Sequence, residues 1–81
     1  MDAVLREMAV GENGRVTGFV AGGSAAYRRK LLALGLTKGS VFKVTRVAPL
    51  GDPVEISVRG FSLSLRRDEA DIVLVEREGG R

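Results

Sequence analysis

No cysteine and no histidine occur in these 81 residues. The first absence removes disulfide frameworks and thiolate metal sites. The second removes the commonest neutral ligand of transition metals and the usual acid–base group near neutral pH. Tryptophan is missing too, and with one Tyr and three Phe there is little on which nucleic-acid bases can stack. No apolar run approaches the ~18–20 residues of a membrane span. The opening MDAVLREMAVGENG has neither a basic n-region nor a hydrophobic h-region. The expectation is a cytoplasmic protein without direct membrane insertion. Proline is nearly absent, and the two that occur, Pro49 and Pro53, share one short stretch, APLGDP.

What is present reads as one domain over 1–81, with 78–81 (EGGR) as a frayed tail. Apolar residues make up 44% of the chain and charged residues 28%, the balance of an ordinary globular protein. The formal net charge of +3, with ten arginines and three lysines, is mildly basic. It suits an acidic partner but falls short of the stripes of dedicated nucleic-acid binders.

The clearest pattern is PVEISVRGFSLSLRR. Val54, Ile56 and Val58 alternate with polar residues, then Phe61, Leu63 and Leu65 do so with the parity reversed. A two-residue turn at Arg59–Gly60 predicts that reversal and pairs Val58 with Phe61, Ile56 with Leu63 and Val54 with Leu65 on one buried face. SAAYRRKLLALG reads as a helix capped by Ser24, with Tyr27, Leu31 and Leu34 on its inner side and Gly35 at the left-handed terminating position. SVFKVTRVA reads as a strand with Phe42 and Val44 inward. GRVTGFVAGG reads as a first strand, bulged at Gly18 and preceded by a turn at Asn13–Gly14. RDEAD forms a helical turn capped by Asp68, and IVLVE a buried last strand. The expected fold is mainly β: a small five-stranded barrel, closed to remove its edges, with one α-helix between the first two strands and a helical turn before the last.

Little here suggests catalysis. There is no nucleophile elbow and no phosphate-binding loop. Gly22–Gly23 before the helix is read as a hinge rather than an anion site. Asp68, Glu69 and Asp71 are read as a solvated helical turn rather than an oxygen-only metal site. No enzyme activity, cofactor or metal site is expected. Arg28, Arg29 and Lys30, with Arg66 and Arg67, form basic clusters that suit either a solvated surface or an acidic partner. Leu50 is the residue that packing explains least. Both prolines stiffen its loop, and Leu50 either folds over an open end of the barrel or stands out as a contact point.

RRKLLALGLTKGSVFKV, APLGDPVEISVRG and LSLRRDEADIVLV, in that order and spacing, resemble the FeoA family of accessory proteins in bacterial ferrous-iron uptake. The resemblance runs from about Val4 to Val75. Met8 departs from it, standing where the family more often has Leu, an exchange that packing tolerates. The resemblance implies an SH3-like barrel, transition-metal association at the level of the family, and partnership with FeoB, a membrane Fe(II) transporter with a cytoplasmic GTP-binding domain. On this reading Leu50 anchors the contact, with Asp52, Arg28 and Arg29 orienting it. The alternatives are a nucleic-acid-binding or repressor-like iron-regulation module using Arg28, Arg29, Arg66 and Arg67, and a stimulator of GTP hydrolysis that supplies an arginine in trans. Nucleic acid is not the expected partner. Short strands and the Gly22–Gly23 hinge leave room for homo-oligomers.

Overall fold

The hairpin forms as its alternation requires. A computed structural model, describing residues 2–78, pairs Val58 with Phe61, Ile56 with Leu63 and Val54 with Leu65. Arg59 and Gly60 both take positive φ, 51° and 86°, the combination of a two-residue I′ turn. Numbered along the chain, the strands are β1 (Asp2–Val4), β2 (Asn13–Phe19), β3 (Val41–Val47), β4 (Val54–Val58), β5 (Phe61–Leu65) and β6 (Val73–Glu78). The helices are α1 (Ala25–Ala33) and α2 (Arg67–Ala70), and 3-10 turns occupy Leu5–Glu7 and Pro49–Gly51.

The strands form one antiparallel sheet in the order β1-β6-β2-β3-β4-β5. This corrects the expected fold in three respects. There are six strands rather than five, because Asp2–Val4 pairs with β6. The helix α1 therefore lies between the second and third strands. The sheet is also not closed: among the described residues β1 and β5 are its two edges and do not pair. The edges are instead kept short, at three and five residues. Register shifts at Val16/Gly18 and at Val44/Arg46 bend the sheet locally. The first is the bulge expected near Gly18.

The bent sheet and both helices enclose a single cluster. It includes Leu5 and Met8 after β1, Val16, Phe42, Val44, Val54, Ile56, Val58, Leu65, Val73 and Val75 from the strands, and Leu31, Leu36 and Ala70 from the helical segments. Phe42 and Val44 are buried as the strand reading implies, and Met8 is buried as well. Phe61 is on the predicted face but remains 47% exposed, because no strand lies beyond β5 to cover it.

Asn13–Gly14 is not a turn. Asn13 pairs with Lys43 on one side and Glu78 on the other, so both residues belong to β2. Gly14 is required for close approach: a Cβ there would sit 2.8 Å from the Phe42 ring and 3.1 Å from Met8 Cε. Of the expected tail, Glu78 closes β6 opposite Asn13, and residues 79–81 lie outside the described residues.

The helix α1 begins where Ser24 Oγ accepts a hydrogen bond from Tyr27 N at 3.2 Å. It ends in a Schellman arrangement, in which Leu36 N donates to Leu31 O, Gly35 N donates to Leu32 O, and Gly35 takes φ 100°. That ending corrects one assignment. Leu34 is the C-cap and 37% exposed, because the chain turns away before its side chain can point inward, and Leu36 takes the core place.

Candidate docking surface

The loop between β3 and β4 is built around a 3-10 turn that starts at Pro49, where a fixed φ and a missing N–H do no harm. Gly51 N donates to Ala48 O at 2.8 Å and Ala48 N to Pro53 O at 3.0 Å, tying the loop to its own base. Leu50, at the tip, is in the left-handed region at φ 67° and ψ 12°. A non-glycine residue there carries about 1–2 kcal/mol of strain. Its side chain is 92% exposed, so it does not fold over the sheet. A large apolar side chain is thus held in a strained conformation and contributes nothing to the core.

Beside this loop is a shallow polar cleft of about 450 Å³. It is lined by Tyr27 of α1, Asp52 of the loop, and the stretch from Arg66 to Glu69 together with Asp71. Asp52 is engaged within the chain: its Oδ1 accepts from Arg67 N at 3.2 Å and lies 3.9 Å from Arg66 Nε. This carboxylate therefore caps α2 from fifteen residues away. Asp68, the cap expected from sequence, is an exposed residue of the first turn, and the N-cap position belongs to Arg66. Asp71 pairs with Arg6 across the chain.

Glu69 is the buried charge of the cleft, with 3% of its surface exposed. Its Oε2 accepts from Lys30 Nζ at 2.5 Å and its Oε1 from Arg66 N at 2.8 Å. Burial works to raise its pKa. The hydrogen bonds from Lys30 and the Arg66 amide, with the charges of Lys30 and Arg66, outweigh that and hold it below the ordinary carboxylate value. A depressed folded-state pKa means stability that is full above the ordinary carboxylate range and lost as pH falls through the folded value. Glu69→Gln should cost about 1 kcal/mol at neutral pH, a modest sum because Lys30 is largely exposed. Urea unfolding followed from neutral pH to about pH 3 should show the gap between wild type and variant closing. A constant gap contradicts the assignment.

Of the residues singled out by sequence, the structure brings Arg66 and Arg67 together with Asp52 of the loop that carries Leu50. Arg28 and Arg29 are exposed on α1 and do not line the cleft, and neither forms an ion pair among the described residues. Tyr27 and Asp71 were not foreseen as cleft residues; Tyr27 reads from sequence as a core residue and Asp71 as part of a solvated turn. The cleft mixes both signs of charge. Among the described residues no three carboxylates converge as a metal site would require, and no helix is long and apolar enough to cross a membrane.

Residues 4–77 match the model of the FeoA domain. Over 54 residues the chain is 35% identical to an Fe(2+) transport protein A/Fe(2+) transporter FeoB fusion protein of Porphyromonas gingivalis, a match spanning 67% of this chain and 6% of that protein. The chain thus corresponds to a small part of that relative's length. The solution structure of FeoA from Chlorobium tepidum superposes with a TM-score of 0.85 at 40% identity, covering 98% of this chain and 73% of that one. FeoA of Stenotrophomonas maltophilia, solved in complex with zinc and described as a prokaryotic SH3 domain protein, superposes with a TM-score of 0.78 at 26% identity, covering 91% of this chain and 89% of that one. The six-stranded antiparallel sheet with two helices is of this SH3-like type. The chain has neither Cys nor His, two of the three ligand types that zinc takes.

Proposed function

The chain belongs to the FeoA family, and on that premise we propose that it serves Fe(2+) uptake as a non-enzymatic accessory subunit that docks on a FeoB-type transporter through Leu50. The observation that carries this reading is Leu50 itself, 92% exposed and strained at the tip of a tied loop. Local strain at an exposed position, with no packing gained, is the mark of a side chain kept for contact. A loop tied at both ends by backbone hydrogen bonds loses little entropy on binding. The fusion of related domains in Porphyromonas gingivalis supports proximity to such a transporter.

The mechanism is differential binding. If the subunit docks better on one conformation of the transporter, that state's population rises by the difference in affinity. Arg28 and Arg29 steer the approach from the exposed face of α1. Asp52 acts through the fold, holding α2 beside the loop. The mixed charge of the cleft suits a protein surface better than a phosphate backbone, which favours docking over nucleic-acid binding.

Leu50→Glu is the direct cellular test. In a strain limited for iron, the variant should lower Fe(II) uptake and lose co-purification with the transporter while keeping its circular dichroism and unfolding midpoint. If both are unchanged in a folded variant, Leu50 is not the anchor.

A further inference from the structure

Asn13 is the only residue of the chain with a side-chain amide, since glutamine is absent, and a glycine follows it. An Asn-Gly pair is open to spontaneous deamidation. The glycine nitrogen loses its proton, attacks the Asn Cγ and expels ammonia, which leaves a cyclic imide. Water then opens the ring at either carbonyl. One product is aspartate, and the other is isoaspartate, whose main chain runs through the former side chain. Glycine favours the attack because no Cβ crowds its nitrogen or restricts its backbone.

The fold withholds what this reaction needs. Asn13 and Gly14 pair with Lys43 and Phe42 of β3 on one side, and with Glu78 and Arg77 of β6 on the other. Val44 N donates to Glu12 O at 2.9 Å, and Val16 N donates to Ser40 O at 2.8 Å. Antiparallel ladders alternate in steps of two, so the Gly14 N–H between these bonds is directed to the Phe42 carbonyl. It is not free to attack. Ring closure also needs the backbone at Asn13 to leave the extended conformation that both ladders impose.

Release therefore requires β2 to part from both neighbours. The same strand carries Val16 into the core at 1% exposure, so its departure breaks the common cluster. The two products then differ. Aspartate keeps the chain length and adds a charge at an exposed position, between Lys43 on β3 and Glu78 on β6. Isoaspartate inserts a methylene into the main chain, and the ladders before and after it fall out of step. Gly14 is packed too closely against Phe42 and Met8 for the strand to bulge there. We propose that Asn13 is a site of spontaneous covalent modification that the fold holds shut, so that unfolding exposes it and isoaspartate formation makes the unfolding irreversible. This site does not rest on docking through Leu50.

The test follows the tryptic peptide of residues 7–15 by chromatography and mass spectrometry, in protein held at mildly alkaline pH. Its aspartyl and isoaspartyl forms share a mass and separate by retention. Conversion in buffer should be at least roughly 1,000-fold slower than in strong urea. Through low urea, the logarithm of the rate should rise linearly with the slope of equilibrium unfolding. Ile56→Ala should speed conversion in buffer roughly 30-fold or more, up to the rate in strong urea if the variant does not fold. After return from urea to buffer, gel filtration should place aspartyl chains in the compact fraction and isoaspartyl chains outside it. Asn13→Asp should fold cooperatively, which separates the added charge from the inserted methylene. Similar rates in buffer and strong urea overturn the proposal. So does a rate that neither low urea nor Ile56→Ala changes, or isoaspartyl chains in the compact fraction.

Discussion

Replacing Leu50 with glycine is expected to stabilise the protein while weakening its hold on the transporter. Leu50 sits at φ 67°, where glycine meets no Cβ penalty, and its side chain is 92% exposed. Relief of the left-handed strain should raise the unfolding free energy by about 1 kcal/mol, part of it offset by the freer unfolded chain that glycine brings. Truncation also removes the apolar surface that docking would bury. A fully buried Leu contributes about 1.5–3 kcal/mol, so the loss of affinity should be about 10- to 100-fold. The two effects have opposite signs, which separates contact from folding. A residue that merely filled a corner would lose stability on truncation. One that did nothing would leave affinity untouched.

The opposite pattern is expected in the core. Ile56 is fully buried and lies between Val44 of β3 and Leu63 of β5. Ile56→Ala should cost about 2–5 kcal/mol through lost transfer energy and an unfilled cavity. For a domain of this size, each kcal/mol lowers the midpoint by roughly 4–8 °C, so a fall of about 8–40 °C is expected in thermal unfolding. Leu63→Ala, on the same cross-strand row but half-buried at the edge, should cost markedly less. A loss below about 1 kcal/mol at Ile56 would show that the core is not centred on this row.

These contrasts follow local patterns that the sequence carries openly. The parity reversal at Arg59–Gly60 leaves one register that buries apolar residues, and the structure adopts it pair for pair. Ser24, Gly35 and Leu36 mark both ends of α1 because capping is decided within a few residues. Leu34 escaped, since its direction depends on where the helix stops rather than on periodicity. The strand β1 also escaped. Three residues offer no alternation, and its hydrogen bonds come from β6, some seventy residues away. Closure of the sheet is likewise a question of which distant strands meet. Asn13–Gly14 read as a turn because that dipeptide favours one, yet β3 and β6 hold it extended and Phe42 requires the missing Cβ.

The candidate surface was legible in the same uneven way. Two prolines around one Leu singled out Leu50, but its left-handed conformation and full exposure depend on three dimensions. Asp52 reads from sequence as a surface charge, whereas the fold uses it to cap α2. A cap contributed from outside the helix leaves no local signature. Glu69, hidden in an acidic run, is buried because Lys30 of α1 reaches it.

Affinity for the cytoplasmic part of a FeoB-type transporter, measured by calorimetry for wild type and Leu50→Gly alongside their unfolding midpoints, tests the docking claim most directly. The variant should bind about 10- to 100-fold more weakly while unfolding at a higher temperature. Equal affinity of the two proteins for that partner would contradict it.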